Sequence, residues 1–138
     1  MGRAYPSRPM LPLVRANLLL VALLGLHTLD HAFWQPARDL GVELTTSGLA
    51  GSVAALAVLA LALGHHPLAA PAAVAVGFGT AIGFLAAHAL PRWSAWSDPY
   101  PEAGVNALSW VLMLAPAAVA LCLGVLGWRL LRTRAAPV

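Results

Sequence analysis

LPLVRANLLLVALLGLHTLDHAFW, residues 11–34, is an apolar run long enough to cross a membrane as a helix. A helix needs about 20 apolar residues to cross the roughly 30 Å of hydrocarbon in a bilayer. The run is too long for the apolar core of a cleavable signal peptide, and no small-residue cleavage site follows it. We therefore expect it to remain in the mature protein as a membrane-spanning helix.

Three more apolar stretches follow, and turn residues separate them. We place the four spans at about residues 11–34, 44–63, 68–90 and 105–131. Backbone groups in hydrocarbon must bond within their own segment, and no segment alternates as a barrel strand does, so the spans are helices. Short connections make neighbouring helices antiparallel. The expected fold class is an all-α integral membrane protein, with residues 1–138 forming a single up-down four-helix domain.

The composition also indicates a membrane environment. Hydrophobic residues make up 60% of the 138 residues and charged residues 9%, against about 45–50% and about 25% in soluble domains. A soluble domain of this size cannot bury so much apolar surface, so the lipid bilayer is the expected partner. The arginines that give the charge of +3 lie beside the spans and form no patch of their own, which argues against a nucleic-acid partner.

The distribution of arginine predicts the orientation of the chain. Six arginines lie near its two ends: Arg3, Arg8, Arg15, Arg129, Arg132 and Arg134. Arg38 and Arg92 fall in the loops on the other side. Because cytoplasmic segments are enriched in arginine, both termini should be cytoplasmic. The abundant alanine and the absence of lysine favour a GC-rich genome, and so a multi-pass protein of a bacterial cytoplasmic membrane.

Two features predict how the helices pack. Gly79, Gly83 and Ala87 form a stripe of small residues in the third span, which lets another helix approach closely. We favour packing inside the bundle for this stripe; the alternative is a contact between two copies of the chain. Pro116 in the fourth span should leave the carbonyl of Leu112 without its helical hydrogen bond.

Acidic residues and histidines collect at the end of the spans opposite to the chain termini. His27, Asp30 and His31 are spaced by three and four residues, which places them on one helical face. His88 lies near the end of the third span, which runs parallel to the first, so the depths should match. An ionisable group at this depth costs a few kcal/mol, and it normally faces the bundle interior with a partner.

These residue types favour a metal site. Two histidines four residues apart on a helix can bind one ion, and a third histidine with a carboxylate completes a tetrahedral set. We predict His27, His31 and His88 as ligands of a zinc, copper or iron ion. Asp30 or Asp98 is predicted as the fourth ligand or as the partner of a ligand imidazole, and as the catalytic group that moves protons. A haem held between the first and third spans also fits a membrane four-helix bundle, but no feature is specific to haem.

The outer loop should roof this site. The predicted lining residues are Trp34, Trp93, Trp96, Tyr100 and Asn106. Aromatic residues at this level are first of all interfacial anchors, and Asn106 suits the N-terminal cap of the fourth helix. Three aromatic side chains beside Asp98 would also admit a lipid-like ligand.

The sequence leaves three functions open. The first is transition-metal binding, with or without enzymatic chemistry on a lipid-soluble or small substrate. The second is proton- or cation-coupled transport, or an accessory role in it. The third is a structural subunit in which Asp30 bonds to His88 or Arg92 as a clasp between helices. The apolar middle of every span argues against an ion channel formed by one subunit.

Overall fold

The computed structural model describes residues 10–35 and 41–135. In these two stretches the chain forms helices and no strand. The helices are α1 (Met10–Phe33), α2 (Gly41–Leu63), α3 (Ala69–His88), the single turn α4 (Tyr100–Ala103) and α5 (Ala107–Ala135). The prediction of four long apolar helices is therefore confirmed, and their boundaries differ from the expected ones by a few residues. Arg3, Arg8 and Arg38 lie outside the described residues, so the orientation of the chain stays a prediction.

The surface of the bundle is suited to lipid. The four long helices are each long and apolar enough to cross a membrane. Large apolar side chains such as Leu49, Val53 and Ile82 point outward, each more than half exposed. Exposing apolar surface to water costs about 25 cal/mol per Å², so hydrocarbon is the natural solvent for this surface. The predicted fold class, an all-α membrane four-helix bundle, is confirmed.

The four long helices form a closed ring of neighbours. α1 packs against α2, α2 against α3, α3 against α5, and α5 against α1. α1 and α3 therefore lie on a diagonal, run in the same direction and end at the same side of the bundle. We call this side the histidine end; it comprises the ends of α1 and α3, residues 89–106 and the start of α5.

The buried face of α1 carries both the core and the polar residues. Its buried side chains follow one helical stripe: Met10, Leu13, Asn17, Leu20, Leu24, His27 and Asp30. Spacings of three and four residues keep such a stripe on one face. The face that buries leucine in the middle of the bundle therefore buries His27 and Asp30 at the histidine end. Asn17 donates a hydrogen bond to the Ala55 carbonyl of α2 at 3.1 Å; it is a buried polar contact that our sequence analysis missed.

The backbones of α3 and α5 touch along three glycines, Gly77, Gly124 and Gly127, which we call the glycine seam. A Cβ atom on Gly77 would lie 2.6 Å from the Ala120 carbonyl oxygen. A Cβ atom on Gly127 would lie 2.8 Å from the Ala70 carbonyl oxygen. Because both obstacles are backbone atoms, only glycine allows this approach.

The small-residue stripe that we predicted for internal packing does not lie on the seam. A Cβ atom on Gly79 or Gly83 would have no atom within 4 Å. Two residues correspond to a rotation of about 200° around a helix, so Gly79 faces away from the side on which Gly77 meets α5. The expectation of internal packing is therefore wrong for Gly79 and Gly83. A contact between two copies through Gly79, Gly83 and Ala87 stays a prediction.

We expect Gly77→Ala to destabilise the protein by about 1–3 kcal/mol, the usual cost of overpacking a close contact. The added methyl group meets the backbone of α5 and must push the two helices apart. Gly79→Ala is the matched control, since its methyl group enters open space. The free energy of unfolding in detergent, followed by circular dichroism, measures the difference. Equal stability of the two variants would contradict the seam.

Candidate metal centre

Three histidine rings meet at the histidine end, and we call them the histidine cluster: His27, His31 and His88. His27 and His31 belong to the last turns of α1, and His88 is the last residue of α3. One nitrogen from each ring lies within 4.8 Å of the others. His27 and His88 are buried and His31 is half-buried. The structure thus brings the three predicted ligands together across the diagonal of the bundle, and the set can hold a metal ion.

The two histidines of α1 already have the separation of two ligands on one ion. Nε2 of His27 and Nε2 of His31 are 3.2 Å apart. Two ligands of a tetrahedral ion with bonds of about 2.0–2.1 Å lie about 3.3–3.4 Å from each other. The spacing of four residues along α1 gives this arrangement without help from other elements.

The ring of His88 is fixed by the loop that follows it. Its Nδ1 lies 3.1 Å from the backbone carbonyl oxygen of Asp98. A carbonyl oxygen only accepts hydrogen bonds, so Nδ1 carries the proton, and in the neutral ring Nε2 has the lone pair. The loop itself is held by the Asp98 backbone N–H, which donates to the Ala87 carbonyl at 2.8 Å. His88 is therefore set in the tautomer that offers Nε2 to an ion.

The carboxylate of Asp98 lies beside two of the three rings. Its Oδ2 is 3.9 Å from Nδ1 of His31 and 3.8 Å from Nδ1 of His88. Asp98 is also buried. Carboxylates placed at the far nitrogen of metal-binding imidazoles orient the rings and raise their basicity. This geometry supports Asp98 as the partner of ligand imidazoles rather than as a ligand itself.

Asp30 connects α1 to α5. Its Oδ1 accepts a hydrogen bond from the Ser109 hydroxyl at 3.1 Å, and its Oδ2 accepts one from the Gln35 amide at 2.7 Å. These two partners lie just after α1 and on α5, and a bond of Asp30 to His88 or Arg92 stays a prediction. A role for Asp30 in moving protons stays a prediction.

Tyr100 is part of the centre rather than of its roof. Its side chain is 1% exposed, and its ring centroid lies 4.6 Å from that of His88. Its hydroxyl oxygen lies 3.4 Å from Nε2 of His31 and accepts a hydrogen bond from the Gln35 amide at 2.9 Å. The sequence marked Tyr100 as a lining residue and gave no sign that it reaches two histidines.

The other predicted lining residues lie further out. Trp34, Trp93 and Trp96 are each more than half exposed, as interfacial anchors are. Asn106 accepts a hydrogen bond from the Ser109 backbone N–H at 3.0 Å, which is the cap expected at the start of α5. A pocket roofed by the tryptophans stays a prediction.

Our sequence analysis missed two residues at the histidine end, Phe84 and Gln35. The ring centroid of Phe84 lies 4.7 Å from that of His27; its offset of four from His88 was an available signal. Gln35 lies just after the end of α1, where helical periodicity does not predict its contacts with Asp30 and Tyr100. The Leu112 carbonyl, which Pro116 deprives of a helical donor, lies beside the His27 ring but forms no hydrogen bond of good geometry with its Nδ1.

No protein-family model, curated protein or solved structure matches the chain. Function therefore has to be argued from the geometry of the histidine end. The histidine end offers three imidazole donors, a carboxylate beside His31 and His88, and a phenol hydroxyl in contact with Nε2 of His31.

Removing one donor to Asp30 tests the link between α1 and α5. Ser109→Ala should lower the free energy of unfolding by about 1–3 kcal/mol, because a buried carboxylate oxygen loses its hydrogen bond. Ser52→Ala is the control, since the Ser52 hydroxyl bonds to the Gly48 carbonyl of its own helix. Unfolding in detergent measures both variants. If Ser109→Ala proved as stable as Ser52→Ala, Asp30 would not be what holds α1 to α5.

Proposed function

We propose that the protein binds one transition-metal ion through His27, His31 and His88 at one end of a membrane-embedded bundle. The observation that carries this proposal is the convergence of three ring nitrogens to within 4.8 Å of one another from two helices that are not neighbours. Each neutral imidazole has one lone pair to share. A single ion accepts all three lone pairs at one point.

The donor set supports zinc first among the metals. Imidazole nitrogen suits zinc, copper and iron. The 3.2 Å between Nε2 of His27 and Nε2 of His31 is close to the edge of a tetrahedron, the geometry that zinc adopts. The rings of Phe84 and Tyr100 pack directly against the histidines, where a haem plane would need room, and so do not favour haem.

The site is proposed to act on a small or lipid-soluble molecule. Because the cluster lies between apolar helices, such a molecule reaches it from the membrane or from the adjoining interface. An ion there polarises an oxygen of the substrate or activates a bound water. We propose Asp98 and Asp30 as the groups that move protons, and the extracytoplasmic side of a bacterial cytoplasmic membrane as the location, in line with the arginine distribution.

A structural role is the second candidate, and one observation favours it. Asp30 joins α1 to α5 through Ser109 at 3.1 Å. If the polar residues of the histidine end served only to hold the helices together, the histidines would stabilise the fold and bind no ion. Metal content separates the two candidates.

The protein purified in detergent with zinc should retain about one ion per chain, and the His27→Ala/His31→Ala variant should lose it. Removing two of three ligands leaves a single imidazole, which does not hold an ion against a chelator. Elemental analysis after dialysis gives the stoichiometry. The control is His65→Ala/His66→Ala, which changes two exposed histidines in the turn between α2 and α3.

A wild-type protein that holds no zinc, copper or iron, or a double variant at His27 and His31 that keeps its ion, would contradict metal binding at the cluster. Melting temperatures of both double variants, measured alongside, show whether the change at His27 and His31 acts on folding instead.

Asp98→Asn should weaken the ion's affinity about 10–100-fold and leave the stoichiometry unchanged, as is typical for the carboxylate partner of a ligand imidazole. The asparagine keeps the backbone carbonyl that bonds His88 and removes only the negative charge. Competition with a chromogenic chelator measures the affinity. Glu102→Gln is the charge-matched control, because Glu102 is exposed and bonds to the Arg92 backbone. Equal losses in the two variants would show that Asp98 acts only through overall charge.

A further inference from the structure

We propose that the oxygen of Tyr100, as phenolate, is the fourth ligand of the ion held by the histidine cluster. This inference rests on the proposed function and goes beyond it by completing the ligand set. It assigns to Tyr100 a direct bond to the metal in place of a lining role.

The first observation is a pair of distances at one atom. Nε2 of His31 lies 3.2 Å from Nε2 of His27 and 3.4 Å from the hydroxyl oxygen of Tyr100. Ligands of a tetrahedral ion are about 3.3–3.4 Å apart when the bonds are about 2.0–2.1 Å long. Both neighbours of this nitrogen therefore lie at the separation that a shared tetrahedral ion requires.

The second observation is that packing aims the hydroxyl of Tyr100 before any ion is bound. The side chain is 1% exposed. Its ring lies between His88, at a centroid distance of 4.6 Å, and Trp110, at 5.5 Å and nearly perpendicular. A ligand that is already oriented loses little conformational freedom on binding.

The third observation is a hydrogen bond that holds the phenol oxygen in place. Gln35 donates a hydrogen bond to this oxygen at 2.9 Å, and the same amide nitrogen donates to Asp30 at 2.7 Å. The Gln35 amide therefore helps to fix the phenol oxygen beside Nε2 of His31. Asp30 thereby acts as a positioning residue, because it fixes the amide that faces Tyr100.

The two buried carboxylates of the histidine end, Asp30 and Asp98, do not compete for this position. Both oxygens of Asp30 accept hydrogen bonds, from Gln35 and Ser109. The carboxylate of Asp98 lies beside the Nδ1 atoms of His31 and His88, whereas the contact between the α1 histidines is made by Nε2. Tyr100, by contrast, is an oxygen donor that the structure places against an Nε2 atom.

The binding step balances without a redox partner. The O–H bond of Tyr100 breaks, a metal–oxygen bond forms, and the proton leaves to water at the histidine end; the oxidation state of the ion is unchanged. The phenolate removes one positive charge from a dication in apolar surroundings, where uncompensated charge is costly. With four protein ligands the resting site is closed, so a substrate must displace the phenolate or add as a fifth ligand.

The test uses the two tyrosines of the chain, Tyr5 and Tyr100. Zinc is titrated into the purified full-length protein, and the ultraviolet difference spectrum of tyrosinate is recorded. We expect the wild type to develop this spectrum up to one zinc per chain. Tyr100→Phe should lose it, and Tyr5→Phe should keep it. Copper(II) gives an independent readout, because a phenolate ligand adds a visible charge-transfer band that Tyr100→Phe removes.

Two outcomes overturn the inference and leave metal binding by the histidines intact: zinc bound by wild-type protein without a tyrosinate spectrum, or an unchanged spectrum in Tyr100→Phe. The first outcome is measured on the wild-type protein, so it does not depend on whether Tyr100→Phe folds. Absence of zinc binding in the wild type would instead overturn the proposed function, and the assignment of Tyr100 with it.

Discussion

Hydrocarbon offers no hydrogen bonds, so each polar side chain buried in this bundle needs a partner from the bundle itself. At the histidine end this requirement connects three segments. Asp30 of α1 accepts hydrogen bonds from Gln35 and Ser109. His88 of α3 donates one to the Asp98 carbonyl. These bonds fix the ends of three helices and the loop between α3 and α5 relative to one another, and the histidine cluster lies among them.

The ring of four helices determines which residues reach each other. α1 and α3 are not neighbours, so contacts between them are made by long side chains that cross the interior. Histidine, phenylalanine and tyrosine have that reach, and the cluster is surrounded by such rings, with His27 and His88 centroids 5.2 Å apart. A binding site on the diagonal of a bundle is therefore open to ligands from two parallel helices at the same depth, which explains why matching depth was a useful signal.

Helix geometry and bilayer thickness allowed the fold and part of the site to be predicted. They fix the number of spans, the shared face of His27 and His31, and the depth of His88. They do not fix the rotation of each helix about its axis, because helices that are apolar on all sides show no preferred face. The misassigned seam, with Gly79 in place of Gly77, has this cause. The contact of Asp30 with Ser109 of α5 was not predicted for the same reason.

The place of Tyr100 was beyond prediction for a different reason. It depends on the path of residues 89–99, which backbone bonds such as that from Asp98 to Ala87 determine. Loop paths of this kind carry no periodic signal. The sequence identified an aromatic residue near the membrane surface, and only the fold places it inside.

The glycine seam has a consequence for the histidines far from it. Where two backbones touch, no layer of flexible side chains remains to absorb a displacement, and packed interiors transmit strain. Gly77 precedes His88 by eleven residues, or about 16 Å along the helix. α3 and α5 are thus rigidly packed against each other, and α3 ends at His88. A substitution at Gly77 that pushes α5 away from α3 would therefore also move the His88 imidazole relative to the histidines of α1.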